Sequence, residues 1–238
     1  MVKLGTQEIK GLYLGGQKIQ KAHLGGSLVL GTEKKPSRLP EGYTEVEYVQ
    51  SDGASWFDLG VKPSKTMTIE MDVEPLVAGA ASPTKHFAIS YLRQGSGTST
   101  VNYYFDMDWG ANGAMGRMGG YTGTKSAVSV VNDNSPRRMY LSLNSINKSF
   151  GEGSRFVSAG ENNTFSASMP NIKILGNSTA NGLKAKLYTL TRFDGNSTLR
   201  NNLVPCINPS GVVGLYDLVG AKFYGNAGTG TLTAGPAV

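Results

Sequence analysis

The sequence predicts an all-β protein: a small N-terminal β-meander followed by a jelly-roll sandwich. Three observations lead there. Thirty-two glycines and eleven tyrosines stand among abundant Asn, Ser and Thr, a composition of many short strands joined by tight turns. Helix-favouring runs of Ala, Leu, Glu and Lys are scarce. The apolar residues mostly alternate with polar ones, the period of strands half-buried on one face.

In chain order, the first element is a repeat. Leu4-Gly5, Leu14-Gly15 and Leu24-Gly25 recur every ten residues. Even positions carry apolar side chains, among them Leu4, Leu12, Leu14, Leu24, Leu28 and Leu30, and Gly5-Thr6, Gly15-Gly16 and Gly25-Gly26 supply turns. Residues 1–31 therefore read as a meander with one greasy side, too small to enclose a core. That side needs a cover, either the following domain or other chains, which makes it an anchor or oligomerisation segment. Residues 32–40 are charged and bracketed by Pro36 and Pro40, the make-up of a stiff exposed spacer, and residues 41–238 are assigned to a single sandwich.

Within that sandwich, strands are expected at 44–50, 66–73, 86–93, 101–107, 138–143, 172–175 and 183–191. In the second of these, Met67, Ile69, Met71 and Val73 face a core, while Thr68, Glu70, Asp72 and Glu74 face away. Separate short strands over so long a stretch favour a two-sheet jelly roll over a simple barrel.

Composition also excludes functions. The net charge is +6, and Lys3, Lys10, Lys18, Lys21, Lys34, Lys35 and Arg38 crowd the first forty residues, but they alternate with apolar positions as on the solvated side of a sheet, so no nucleic-acid partner is expected. Cys206 is the sole cysteine, which rules out an intrachain disulfide and a cysteine metal cluster. His23 and His86 are not spaced as ligands, and Gly95-Ser96-Gly97 and Gly110–Gly120 read as loops lacking the Gly-Lys-Ser/Thr element of a phosphate cradle. No metal and no cofactor are expected. No run approaches the roughly 18 apolar residues of a membrane span, and no apolar leader opens the sequence, so a chain made soluble in a cytoplasm, without membrane insertion, is expected.

Two clusters could carry chemistry. Tyr103 to Trp109, continued by Asn112, Arg117 and Tyr121, combines aromatic faces with polar forks, the means by which saccharides are held. Alternation buries half of it and leaves Trp109 and the stretch to Tyr121 as the exposed part, so Trp109, Asn112, Arg117 and Tyr121 form a candidate carbohydrate site. Asp106 and Asp108 are too few for a calcium site. The second cluster is Glu70-x-Asp72-x-Glu74, three alternate acids that equally describe the solvent face of an outer strand.

The stretch Leu39 to Val61 resembles the start of concanavalin A-like, laminin-G-like modules of bacteriophage and prophage structural proteins. Leu203 to Cys206, Gly211 to Asp217 and Lys222 to Gly230 resemble the closing strands of such modules, with a hairpin turning at Val219-Gly220 and glycines 225, 228, 230 and 235 bending the last segment across the sheet edge. The Leu-Gly repeat is similar to short repeats preceding such modules in phage tail and fibre proteins. The resemblance implies a non-enzymatic virion protein, assembled in the host cytoplasm. Residues 1–31 would bind other virion proteins, the chain would form a homotrimer, and the module would face outward toward a host-surface glycan, in the limit as a receptor-binding adhesin. Glu70, Asp72 and Glu74 also resemble the Glu-x-Asp-x-Glu signature of laminarinase-like glycoside hydrolases. That alternative makes Glu70 the nucleophile, Glu74 the acid/base and Asp72 the group between them.

Overall fold

The computed structural model describes residues 38–78, 86–90, 103–110, 113–120, 128–129, 135–147, 149–158, 170–176, 182–195 and 197–238, together with the strand residues of 3–30. Every paired strand is antiparallel and no helix occurs among the described residues. The chain is all-β.

The chain divides into two compact units, one spanning Met1–Ser37 and one spanning Arg38–Ala237. In the first, Lys3–Leu4 pairs Gln7–Glu8, Leu12–Leu14 pairs Gln17–Ile19, and Ala22–Leu24 pairs Ser27–Leu30. Each hairpin is its own two-stranded sheet. One meander was expected; among the described residues no ladder joins one hairpin to the next. The closing pairs Leu4↔Gln7, Leu14↔Gln17 and Leu24↔Ser27 leave two residues between partners, as the Gly-containing dipeptides require.

The second unit is a sandwich. Its larger sheet has 11 strands, running Arg155–Ser158, Ser149–Glu152, Met139–Asn144, Met67–Pro75, Lys184–Asp194, Thr198–Ile207, Val213–Asp217, Lys222–Tyr224, with Thr44–Glu45, Val49–Asp52 and Leu232–Ala234 added alongside. The smaller has six: Val128–Ser129, Gly113–Gly120, Tyr103–Gly110, His86–Ser90, Lys173–Ile174, Phe57–Asp58. One apolar core draws on both, with Ile69, Met71, Leu141, Phe150 and Leu190 from the larger sheet and Phe57, Ile89, Met107, Ala114 and Ile174 from the smaller. Alternation built it: Met67, Ile69, Met71 and Val73 are buried, and Glu70, Asp72 and Glu74 are half-buried on the other face.

Two sequence expectations change. Gly110–Gly120 is not a loop: Gly113–Gly120 is a full strand, paired with Tyr103–Gly110 from Tyr103↔Gly120 to Gly110↔Gly113. Its glycines hid it, because glycine is depleted in strands generally. Here Gly116 is needed, since a Cβ at that position would overlap the Phe150 ring of the opposite sheet. The spacer also ends earlier than expected. Arg38, Leu39 and Pro40 belong to the sandwich, where Leu39 joins Val204, Cys206 and Tyr216 in a second apolar cluster against Tyr43, Leu218 and Phe223.

Candidate functional site

Glu70, Asp72 and Glu74 stand in a row on the outward face of the larger sheet. Antiparallel register sets their neighbours: Asp72 lies opposite Tyr140 on one side, and Glu74 opposite Lys186 on the other. Between Asp72 and Val73 the ladder to Lys184–Asp194 shifts, so that Thr189 and Leu187 face consecutive residues. Tyr188 is the extra residue of that bulge. It lets Leu187 and Leu190 both reach the core while Tyr188 comes out beside Glu74.

Every acid of the row is engaged. The Tyr140 hydroxyl donates to Glu70 at 2.6 Å. The Arg138 guanidinium grips Asp72 through two bonds of 2.9 and 2.7 Å, and the same guanidinium lies 3.6 Å above the Tyr188 ring. Glu74 accepts the Tyr188 hydroxyl at 2.6 Å and the Lys186 ammonium at 3.2 Å. Lys186 in turn sits 5.0 Å over the Tyr48 ring, which meets Tyr188 edge-on at 5.5 Å.

The electrostatics follow from these partners. Glu74 is held below the usual carboxylate range, chiefly by the Tyr188 hydroxyl and, against the opposing effect of burial, by Lys186 and Arg138. Tyr188 and Tyr140 are pushed up by burial and by the carboxylates they bond. A general acid needs the reverse, a carboxyl held protonated near neutrality. Nor does the bulge draw Glu70 and Glu74 together. It lies on the partner strand, while Met67–Pro75 stays regular from Thr68↔Asn144 to Val73↔Met139. Positions four apart on such a strand are separated by roughly 13 Å along the backbone, so only side chains leaning inward could bring two carboxyls to the 5–5.5 Å of a retaining pair.

Of the candidate carbohydrate residues, Trp109 is not exposed as expected. Trp109 is only 1% exposed and its indole N–H donates to the Val77 carbonyl at 2.9 Å. It is a core residue with no free face, because it shares its side of the strand with buried Met107. Arg117 occupies the register position opposite Asp106. Asn112 and Tyr121 lie outside the described residues. The tryptophan that reaches the surface is Trp56, next to fully buried Phe57, with Lys173 4.7 Å over its ring. Phe57 in the opening stretch was the signal for it, since adjacent strand residues face opposite ways.

The segments that carry the family resemblance meet each other. Asp52 accepts the Ala54 and Ser55 amides at 2.9 Å and the Thr231 amide at 2.7 Å. Burial works against its ionisation, but these bonds outweigh it and hold Asp52 below its ordinary value. Asn226 accepts the Trp56 amide at 3.2 Å and the Gly228 amide at 2.8 Å, and donates to the Gly230 carbonyl at 2.6 Å. A Cβ at Gly228 would overlap the Ala54 carbonyl, and one at Gly230 the Asp52 carboxylate. The glycines thus serve close approach; none of Gly225, Gly228, Gly230 and Gly235 has positive φ. Leu232–Ala234 then pairs with Val49–Asp52, and Val46 bridges Ala237. The expected hairpin at Val219-Gly220 is present, Asp217 pairing Lys222.

The anchor leucines all fall on strands: Leu12 opposite Ile19, Leu14 opposite Gln17, Leu24 opposite Ser27, Leu28 opposite His23, Leu30 opposite Ala22 and Leu4 opposite Gln7. Their side chains lie outside the described residues. The chain matches no protein-family model, and none of the curated proteins matches it.

Proposed function

We propose that the chain is a non-enzymatic structural component of a phage particle, anchored through its first unit and displaying a jelly-roll sandwich. The observation that carries this reading is the division of the chain. One unit has an extensive core of its own, and the described residues of the other form three two-stranded hairpins. A lone two-stranded hairpin is marginally stable in water, so residues 1–31 gain stability by being covered. The engagement of Glu70, Asp72 and Glu74 by Tyr140, Arg138, Tyr188 and Lys186 supports a structural over a hydrolytic use of that row.

The covering surfaces in this reading are other copies, in a trimer, and other proteins of the particle. Light scattering on the full chain tests the first: the expected mass is three chains, and a monomer at every concentration overturns it. Co-sedimentation with assembled particles tests the second. The full chain should travel with the particle and a chain starting at Arg38 should not.

A further inference from the structure

We propose that the hairpin edges of residues 1–30 dock on an acidic polypeptide that offers a free strand edge, the three hairpins acting as three copies of one binding unit. This deepens the anchoring reading and rests on it. Two independent observations carry it. First, the charge of the chain is segregated: residues 1–30 hold four lysines, Lys3, Lys10, Lys18 and Lys21, against one acid, Glu8, so +3 of the net +6 lies there. Second, among the described residues each hairpin pairs only within itself, with matching closing pairs Leu4↔Gln7, Leu14↔Gln17 and Leu24↔Ser27.

Unpaired strand edges present main-chain donors and acceptors that a further strand satisfies. Only a polypeptide supplies that ladder, which sets a protein partner above a nucleic acid or a lipid surface. Positive charge on the docking unit favours an acidic partner along the strand edges, while the apolar faces are left to other copies in the trimer. Repetition every ten residues adds valency: each hairpin seated raises the effective concentration of the next.

The test uses the full chain and a labelled peptide of alternating Glu and Thr, with three controls: the same peptide N-methylated at alternate amides, a DNA duplex, and anionic vesicles. Anisotropy should show binding to the acidic peptide that weakens steeply with salt. It should fall about tenfold with N-methylation, which keeps charge but blocks the ladder, and about tenfold in a Lys3→Gln/Lys10→Gln/Lys18→Gln/Lys21→Gln chain. Thermal unfolding of the sandwich, unchanged in that variant, controls for folding. Equal binding of the methylated peptide, or tighter binding of DNA or vesicles, overturns the proposal. If the peptide fails while removal of residues 1–37 still frees the chain from particles, this inference falls and the anchoring reading stands.

Discussion

The corner where Ser51–Asp58 meets Asn226–Thr231 and the row Glu70-Asp72-Glu74 are both polar, and both stand out in the sequence, yet they spend their polar groups differently. At the corner, Asp52 and Asn226 bond main-chain amides and a carbonyl from the two ends of the sandwich. Along the row, the carboxylates bond other side chains. A side chain that bonds main-chain amides is fixed by the path of the chain itself, and its loss releases a turn that the chain's own path had set, even where water can take over the amides. A side chain paired with another on an open face can exchange its partner for water. The corner should therefore be intolerant of change and the row permissive.

The sharpest test of that contrast is Gly228→Val. The added side chain overlaps the Ala54 carbonyl and crowds Trp56, and relief requires moving backbone, so a loss of about 3 kcal/mol is expected in urea unfolding. A stability within the error of the unchanged protein would show that the two ends do not hold each other. Next in size is Asp52→Ala, which removes the acceptor of three amides. By analogy with the loss of a helix cap it should cost about 1–2 kcal/mol, with Asp52→Asn recovering part of it.

How far these two regions were legible differs for a physical reason. Local alternation is written in the sequence, so a strand over 66–73 and its two faces could be read directly, two residues short of its end at Pro75, as could the Asp217–Lys222 hairpin. What a residue meets across the fold is not. Gly113–Gly120 reads poorly as a strand because of its glycines, and for Gly116 the reason lies on the other sheet, where Phe150 requires bare backbone. Trp109 and Trp56 are equal as amino acids, and only the position of Val77 makes the first a buried donor. The Tyr188 bulge leaves no local mark, since Leu187-Tyr188-Thr189-Leu190 reads equally well as one phase of alternation or the other. The row itself was legible; the four partners that occupy it come from segments as distant in sequence as Arg138 and Lys186.

Acid exposes the difference again. Asp52 and Glu74 both have folded values below their ordinary ones, so each contributes stability that is present above the unfolded carboxylate value and lost as pH falls through the folded value. The stability of the whole sandwich should drop as pH is lowered below about 4.5, where unfolded glutamates begin to protonate. Asp52→Asn should flatten that acid branch more than Glu74→Gln, because the amides that Asp52 accepts are fixed main-chain groups, while Lys186 can turn to water and Arg138 stays on Asp72 when Glu74 loses its charge. The reverse order, read from urea midpoints across pH, would place the greater acid sensitivity on the open face.

The smallest effect should come from Glu70→Gln. Glu70 accepts the hydroxyl of Tyr140, a residue 45% exposed, and an amide oxygen at the same place can accept it too. The expected cost is about 0.5 kcal/mol or less. The same variant separates structure from chemistry. A hydrolase built on this row would lose its nucleophile and with it all release of reducing sugar from β-glucan, whereas a structural row has no such release to lose in either form. A stability change above that of Asp52→Ala would instead mean that the row holds backbone in place as the corner does, and the contrast between them would vanish.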